Sequence, residues 1–359
     1  MKKSKKYILL TYYKFVDIIN PEYVVSEHKS FCEDIGLKGR IFIGEEGISG
    51  TVTGLPGQIK AYKLYLESIP YFKDIPDIDV KSTIVDSHKF EKLIVRYRKE
   101  IVALGERYTA DEIEKYRHKM TIEEFKQILD SNNSDYVILD MRNDYEYELG
   151  HFKGAVPAGT FHFRDLKKII DGYKELYKDK KLIMYCTGGI RCEKASVMLE
   201  KAGLSNVFQL DGGVVKYINT YNDGNWLGNL YTFDGRISTF VGDEKTHKVI
   251  SKCHYTGKPA ENFYNCRYAP CNYHFIALPE EYQYHFGFCS EECYLKAKED
   301  ILIRNDFTLD KNNYKLLRGQ IKSNPDKKVE IINNVRNFLE KELKDVQFKV
   351  KECKKYTKN

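Results

Sequence analysis

The chain has 359 residues, 42% of them hydrophobic, which is enough for packed cores and predicts two or three domains rather than one. No run of apolar residues is long enough for a transmembrane helix. The net charge of +6 admits an anionic partner such as RNA without requiring one. Nine cysteines are an odd number, and four of them form the close pairs Cys266/Cys271 and Cys289/Cys293. That usage favours reduced thiols, with metal among their roles, in a cytoplasmic setting over a secreted disulfide framework.

In chain order, the start MKKSKKYILLTYYKFV reads as a polar tail entering a strand over 7–15, because Lys14 interrupts the apolar run and no small-residue cleavage site follows. Residues 21–37 have helical spacing with a stop at Gly36. Residues 39–54 read as two strands around a Glu-Glu-Gly turn, and 58–69 as a second helix. Strands over 77–87 and 92–102 complete a β-α-β-β-α-β order, which predicts a ferredoxin-like or acylphosphatase-like α+β module over 1–105. Residues 106–120 are polar and read as a linker. Thr121 and Glu124 form a capping box for a helix over 121–129. Strands at YVILDM, KLIMY and VFQL then alternate with helices near 163–177 and 192–202, which predicts a parallel sheet in an α/β domain over 121–221. FDGRISTFV, starting at Phe233, is strand-like, and 222–296 is a Cys-rich segment. Residues 297–359 read as a helical extension, with Ile331, Ile332, Val335, Phe338, Leu339 and Leu343 on one helix face before a lysine-rich, frayed end.

The stretch YCTGGIRCEKA, Tyr185 to Ala195, carries the chemistry. Cys186 ends a buried parallel strand, where open α/β sheets bind ligands. Gly188 and Gly189 let the loop Thr187-Gly188-Gly189-Ile190-Arg191 curl so that its N–H groups point inward, and a helix follows at Cys192. Such a nest favours an anion. Cys186 is therefore expected to be a nucleophilic thiolate, or to carry a persulfide or a small oxyanion. Four residues separate Cys186 from Arg191, one fewer than a cysteine phosphatase uses, so phosphate hydrolysis is disfavoured. Cys192 would either resolve an oxidised Cys186 or pack at the first helical turn.

LDMRNDYEYELGHFKGAVPA (139–158) resembles the rhodanese signature, at Asp140, Arg142, Glu146, Gly150, His151, Gly154 and Ala155. FQLDGGVVKYI resembles its closing element. Asp140 and Arg142 read as an ion pair supporting the loop, and His151 as a hydrogen-bonded turn residue. Together CTGGIRCEKAS, GRIFIGEEGISGTVTG, VRYRKEIVALG and NWLGNLYTFDGRI resemble the oxygen-dependent tRNA uridine hydroxylase family over about residues 7–295. That resemblance implies an acylphosphatase-like module, a rhodanese domain and a Cys-rich C-terminal segment. It implies conversion of the wobble uridine 34 of tRNA to 5-hydroxyuridine with O2 as co-substrate, and it makes Cys186 the family's rhodanese cysteine. No flavin or nicotinamide fingerprint accompanies it.

In the Cys-rich segment, Cys266, Cys271, Cys289 and Cys293 provide two spaced pairs suited to one structural zinc, with Cys253 an alternative ligand and His254 and His274 further candidates. The family's opening C-x2-C has Thr256 in its second place, and ALPEE replaces a later pair, so one site at most is expected. A tRNA partner would find positive charge at Lys2, Lys3, Lys5 and Lys6, at Arg96, Arg98 and Lys99, and in the tail. The cleft between the N-terminal module and the thiol loop is the expected RNA site. A rhodanese-type sulfurtransferase that loads sulfur on Cys186 is the alternative enzyme, and an RNA-binding scaffold is the non-enzymatic one. The intact cysteine, glycines and arginine disfavour the scaffold.

Overall fold

The structure is a computed structural model that describes residues 6–75, 81–131, 133–234, 236–245, 247–268, 270–271, 273–300, 326 and 330. The chain forms two compact units, 1–247 and 248–359, each considered by itself. The expected amphipathic helix beyond 324, the basic tail, and Lys2, Lys3 and Lys5 lie outside the described residues. Among the described residues, no helix is long and apolar enough to cross a membrane.

The first unit opens with β1 (Tyr7–Phe15), α1 (Pro21–Asp34), β2 (Lys38–Gly44), β3 (Gly47–Gly54), α2 (Pro56–Ser68), β4 (Ser82–Val85) and β5 (Leu93–Tyr97). Their sheet order is β4-β1-β3-β2-β5. The first four strands give the antiparallel order of the split βαβ fold, and β5 extends it parallel to β2. Asn20 caps α1 by accepting from the Tyr23 N–H, and Pro21 sits in the first turn, where its missing N–H costs nothing. Side chains alternate along a strand. Leu10, Tyr12, Ile41, Ile43, Ile48 and Val52 therefore pack with Ile59, Tyr62 and Leu66 of α2. Thr11, Tyr13, Arg40, Phe42, Ser49 and Thr51 are left on the opposite face.

Residues 106–120 are not a bare connection. Thr109 and Glu112 form a capping box for α3 (Ala110–Lys115), and β6 (Lys119–Met120) joins the second sheet. Ile113 has no exposure, and Leu104 and Tyr108 are buried in the same core. One apolar residue in a short polar helix leaves no periodicity to read, yet that residue anchors the segment.

The second sheet follows with α4 (Ile122–Ser131), β7 (Tyr136–Asp140), α5 (Asp144–Leu149), β8 (Gly150–Phe152) and β9 (Val156–Pro157). A 3-10 turn at Phe163–Asp165 leads into α6 (Leu166–Tyr177), β10 (Lys181–Tyr185), α7 (Ile190–Lys201), β11 (Val207–Leu210) and α8 (Gly213–Tyr221). The order β6-β11-β10-β7-β9 is parallel throughout. The capping box at Thr121 and Glu124 forms as expected. Along β10, Leu182 and Met184 face α6 and α7, whereas Ile183 and Tyr185 face α4 and α8. Both faces are thus covered, as a parallel sheet requires. Then β12 (Trp226–Gly228) pairs with β8, and β13 (Leu230–Tyr231) pairs with β14 (Ser238–Thr239). The strand expected at FDGRISTFV is reduced to that short β14.

Two polar links tie the N-terminal sheet to α7. Lys194, wholly buried, donates to Glu46 at 3.1 Å, to Glu100 at 2.7 Å and to the Val102 carbonyl at 3.3 Å. Glu193 accepts from the Tyr13 hydroxyl at 3.0 Å and from Arg117 at 2.9 Å. The Glu-Glu-Gly turn therefore inserts one carboxylate beneath the helix that begins at the thiol loop.

The second unit holds β15 (Phe263–Asn265), β16 (His274–Ile276), α9 (Pro279–Tyr284) and α10 (Glu291–Asp300).

Replacing Lys194 with Met should leave the buried Glu46 and the half-buried Glu100 without their cation and cost about 3–5 kcal/mol in urea unfolding. Lys167→Ala, at a solvent-exposed pair with Glu106, should stay within about 0.5 kcal/mol.

Candidate active site

The Cys186 side chain begins where β10 ends and has no solvent exposure. Gly189 is the N-cap of α7, with φ +99°, and its N–H donates to the Cys186 sulfur at 3.1 Å. A Cβ at Gly189 would also lie 2.6 Å from the Tyr13 hydroxyl of the facing sheet. Only a glycine meets both conditions. Gly188 carries no such demand, contrary to the sequence expectation: its φ is not positive and a Cβ there would meet nothing. The second indispensable glycine is Gly213, at φ +66°, where a Cβ would lie 2.5 Å from the Cys186 carbonyl oxygen. That close approach lets Val214 and Val215 of α8 donate to the carbonyls of Cys186 and Thr187, each at 3.0 Å.

Burial alone would push the Cys186 thiol up. Hydrogen bonding from Cys192, the charge of Arg191 and the N–H groups of Arg191 and Cys192 outweigh it, bringing the sulfur down to about 5. At neutral pH it is a thiolate. Burial, donation to Cys186 and repulsion from that anion push Cys192 well up, so it stays a thiol. The Cys192 sulfur thus faces the cradle, where the sequence left it free to point elsewhere.

Arg191 does not stand alone. Its guanidinium forms a two-point pair with the buried carboxylate of Glu146, at 2.5 and 2.9 Å, and donates to the Thr187 hydroxyl at 3.2 Å. Despite burial, that partner holds Arg191 firmly protonated. Glu146 was visible in the sequence as a signature position but had no assigned role. Its role here is to fix the plane of the arginine beside the thiol loop. Asp140 and Arg142 form the expected ion pair, wholly buried, with Nε–Oδ1 at 2.9 Å; Arg142 also donates to the Gly150 carbonyl at 2.6 Å and Tyr185 donates to Asp140 at 2.7 Å. His151 sits on β8, bonded through Nδ1 to the Tyr147 carbonyl at 2.8 Å and stacked on the Tyr147 ring. Burial holds its pKa down.

A cavity of about 630 Å3 connects the thiol loop with the open face of the N-terminal sheet. Cys186, Thr187, Gly188, Ile190 and Arg191 line one side and Thr11, Tyr13, Arg40 and Phe42 another. Among the described residues, five basic side chains border it, Arg40, Lys81, Arg164, Arg191 and Arg236, against one carboxylate, Asp234. Arg98 lies over the Phe42 ring, 5.2 Å from its centroid, while Arg96 and Lys99 are exposed and are not among the residues that line the cavity.

In the second unit, the sulfurs of Cys266, Cys271, Cys289 and Cys293 all lie within 4.8 Å of one another. The Cys271–Cys289 and Cys289–Cys293 separations are 3.7 and 3.6 Å. A tetrahedral metal with bonds of about 2.3 Å to sulfur would set neighbouring sulfurs about 3.8 Å apart. The four thiols therefore fit a metal ion. Cys253, the alternative ligand, is outside this group and accepts instead from the Leu278 N–H at 3.4 Å. His254 and His274 are outside it as well, and His254 bonds the Cys289 carbonyl through Nε2 at 2.8 Å.

Comparison with known proteins gives three family matches: a UPF0176 acylphosphatase-like domain over residues 7–101, a rhodanese-like domain over 121–220 and a rhodanese C-terminal segment over 227–294. A protein of Bacillus velezensis named tRNA uridine(34) hydroxylase is 40% identical over 317 residues, covering 87% of this chain and 96% of that one. Relatives of the same name from Staphylococcus carnosus, 41% identical over 80% of this chain and 89% of theirs, and from Onion yellows phytoplasma, 37% identical over 81% and 93%, align comparably.

The rate of Cys186 alkylation by iodoacetamide should be half-maximal near pH 5. Arg191→Ala should move that midpoint upward, because a stabilising charge is lost, and Cys192→Ala should do the same through loss of a donor. Cys192→Ser, which keeps a donor, should move it little.

Proposed function

The chain belongs to the tRNA uridine(34) hydroxylase family, and we propose from that membership that it hydroxylates the wobble uridine of tRNA at C5, in the cytoplasm, with O2 as co-substrate and Cys186 as the nucleophile. The observation that carries the reading is a buried thiolate opening onto a cavity whose charged border is mainly cationic. Uracil C5 gains electron density when a nucleophile adds at C6, and a thiolate held by fixed donors is suited to that addition. The adduct is an enolate whose electron pair resides partly on C5. One oxygen atom of O2 then goes to C5. The second leaves as water, which takes two electrons from an external reductant and two protons. Loss of the C5 proton expels the thiolate and restores the aromatic ring as 5-hydroxyuracil. Arg191 and the loop N–H groups hold the sulfur anionic before attack and receive it again after expulsion. Cys192, as the neighbouring thiol, is placed to capture an oxidised Cys186 sulfur as a disulfide.

The four-cysteine cluster is proposed to bind one structural zinc. All four donors are thiols, leaving no open position for a substrate. Its role is then to hold the small C-terminal unit together.

Cys186→Ser should fold normally and bind tRNA. It should yield no 5-hydroxyuridine when expressed in a strain deleted for the gene, as read by nucleoside analysis of its tRNA. Hydroxyuridine at the wild-type level from this variant would overturn the assignment. Thiosulfate turnover by the wild type, with tRNA nucleosides unchanged on gene deletion, would favour the sulfurtransferase instead. Purified protein should contain one zinc per chain by elemental analysis, and Cys289→Ser should lose it with a drop in Tm.

A further inference from the structure

We propose that Phe233 and Phe240 form an aromatic clamp for the target pyrimidine, with Phe233 stacking on the base above the thiol loop. The inference rests on the tRNA reading and adds the residue that would hold the base.

Phe233 stands out from the hairpin that carries it. Leu230 and Tyr231 on β13 are each 6% exposed, whereas Phe233 is 50% exposed and Phe240 45%. Both phenylalanines line the cavity that reaches Cys186. The Phe233 ring is not loose. The Arg191 guanidinium carbon lies 5.5 Å from its centroid, and the Tyr231 ring lies 5.1 Å away at an interplanar angle of 75°. A guanidinium on one face of an aromatic ring leaves the other face for a further flat partner.

Polar contacts hold the described residues around it. Asp234, 4% exposed as a side chain, binds Arg236 through both oxygens, with Nε–Oδ1 at 2.9 Å and Nη2–Oδ2 at 2.6 Å. It also accepts from the Arg236 N–H at 2.9 Å. Ile237 has φ +64°, a left-handed conformation that a β-branched residue adopts only under constraint. The Thr232 N–H fixes it by donating to the Ile237 carbonyl at 2.7 Å. Strain of this kind is retained where a segment must present a side chain in one place.

The chemistry of the occupant follows from the walls. A small sulfur donor such as thiosulfate would need the anion cradle and the cations, but no aromatic rim. A nucleotide needs both: a π-face for its base and cations for its flanking phosphates. Arg40 and Arg164 are exposed on the cavity border, while the one carboxylate among the described residues there, Asp234, is committed to Arg236. An extruded base in single-stranded RNA, with a phosphate on either side, matches this distribution.

The test is a cycle of two proteins and two RNAs. Anticodon stem-loops carrying either uridine or an abasic ribose at the target position would be titrated by fluorescence anisotropy against Cys186→Ser and against Cys186→Ser/Phe233→Ala. Loss of the ring should weaken binding of the uridine RNA by about tenfold, within the usual range for base–aromatic stacking, and leave the abasic RNA nearly unaffected. Phe233→Tyr should restore uridine binding. Equal loss on both RNAs, or no loss on either, would overturn the clamp. Phe233→Ala in the otherwise wild-type chain should keep the pH midpoint of Cys186 alkylation, and a shift in that midpoint would mean that the ring acts through Arg191 rather than on the base. The hydroxylase reading is judged separately, by whether wild-type protein forms 5-hydroxyuridine, so either conclusion can fall without the other.

Discussion

A sulfur anion with no solvent exposure imposes the main constraint on this molecule. Water does not solvate it, so the protein must supply every group that does. The Gly189 N–H, the N–H groups opening α7, the Cys192 thiol and the Arg191 charge all converge on one atom. Bringing a buried guanidinium to that position creates a second demand, since the cation also needs a partner. Glu146 meets it with two hydrogen bonds. The pair is nearly neutral, yet its positive end faces the sulfur. The loop is therefore one member of a buried charge arrangement that starts on α5 and ends on α7.

The same helix continues that arrangement into the N-terminal module. Cys192, Glu193 and Lys194 are consecutive and all buried. The first points to the Cys186 sulfur, the second meets Tyr13 and Arg117, and the third enters the Glu46–Glu100 pair. Successive residues on a helix project about a third of a turn apart, so three different neighbours are engaged by a single turn. Tyr13 also occupies the space that a side chain at position 189 would take. The acylphosphatase-like module is thus part of the wall of the thiol loop, and not merely a domain appended before it.

Much of this was legible in the sequence because period and punctuation agreed. Alternation placed β1, β2 and β3, a capping box placed the start of α4, and parallel strands with helices between them placed Cys186 at a carboxyl end. The C-x4-R spacing singles out the loop in which Cys186, Arg191 and Cys192 come together. What was not legible depended on distant partners. Lys194 reads as an ordinary exposed lysine until Glu46 and Glu100 are brought to it from more than ninety residues away. Gly213 and Gly188 look equivalent as halves of double glycines, and only the packing of α8 on the loop separates them. In the polar stretch before α4, the signals that it folds were the Thr109–Glu112 capping box and the buried Ile113. Phe233 belonged to an expected strand, and its exposure on a turn arises because β14 pairs for only two residues.

The contact between α8 and the thiol loop has one more consequence. The carbonyls of Cys186 and Thr187 are both taken by N–H groups of α8. Their peptide planes cannot turn over, so the start of the loop is held in one shape, and the Gly189 N–H that follows it meets the sulfur without a substrate present. No rearrangement is needed to create the nucleophile. An enzyme built this way has its reactivity switched on at rest, and it cannot discriminate by activating the cysteine only when the correct molecule arrives. Selection is left to access: the shape and charge of the cavity decide which electrophile reaches a sulfur that is always ready.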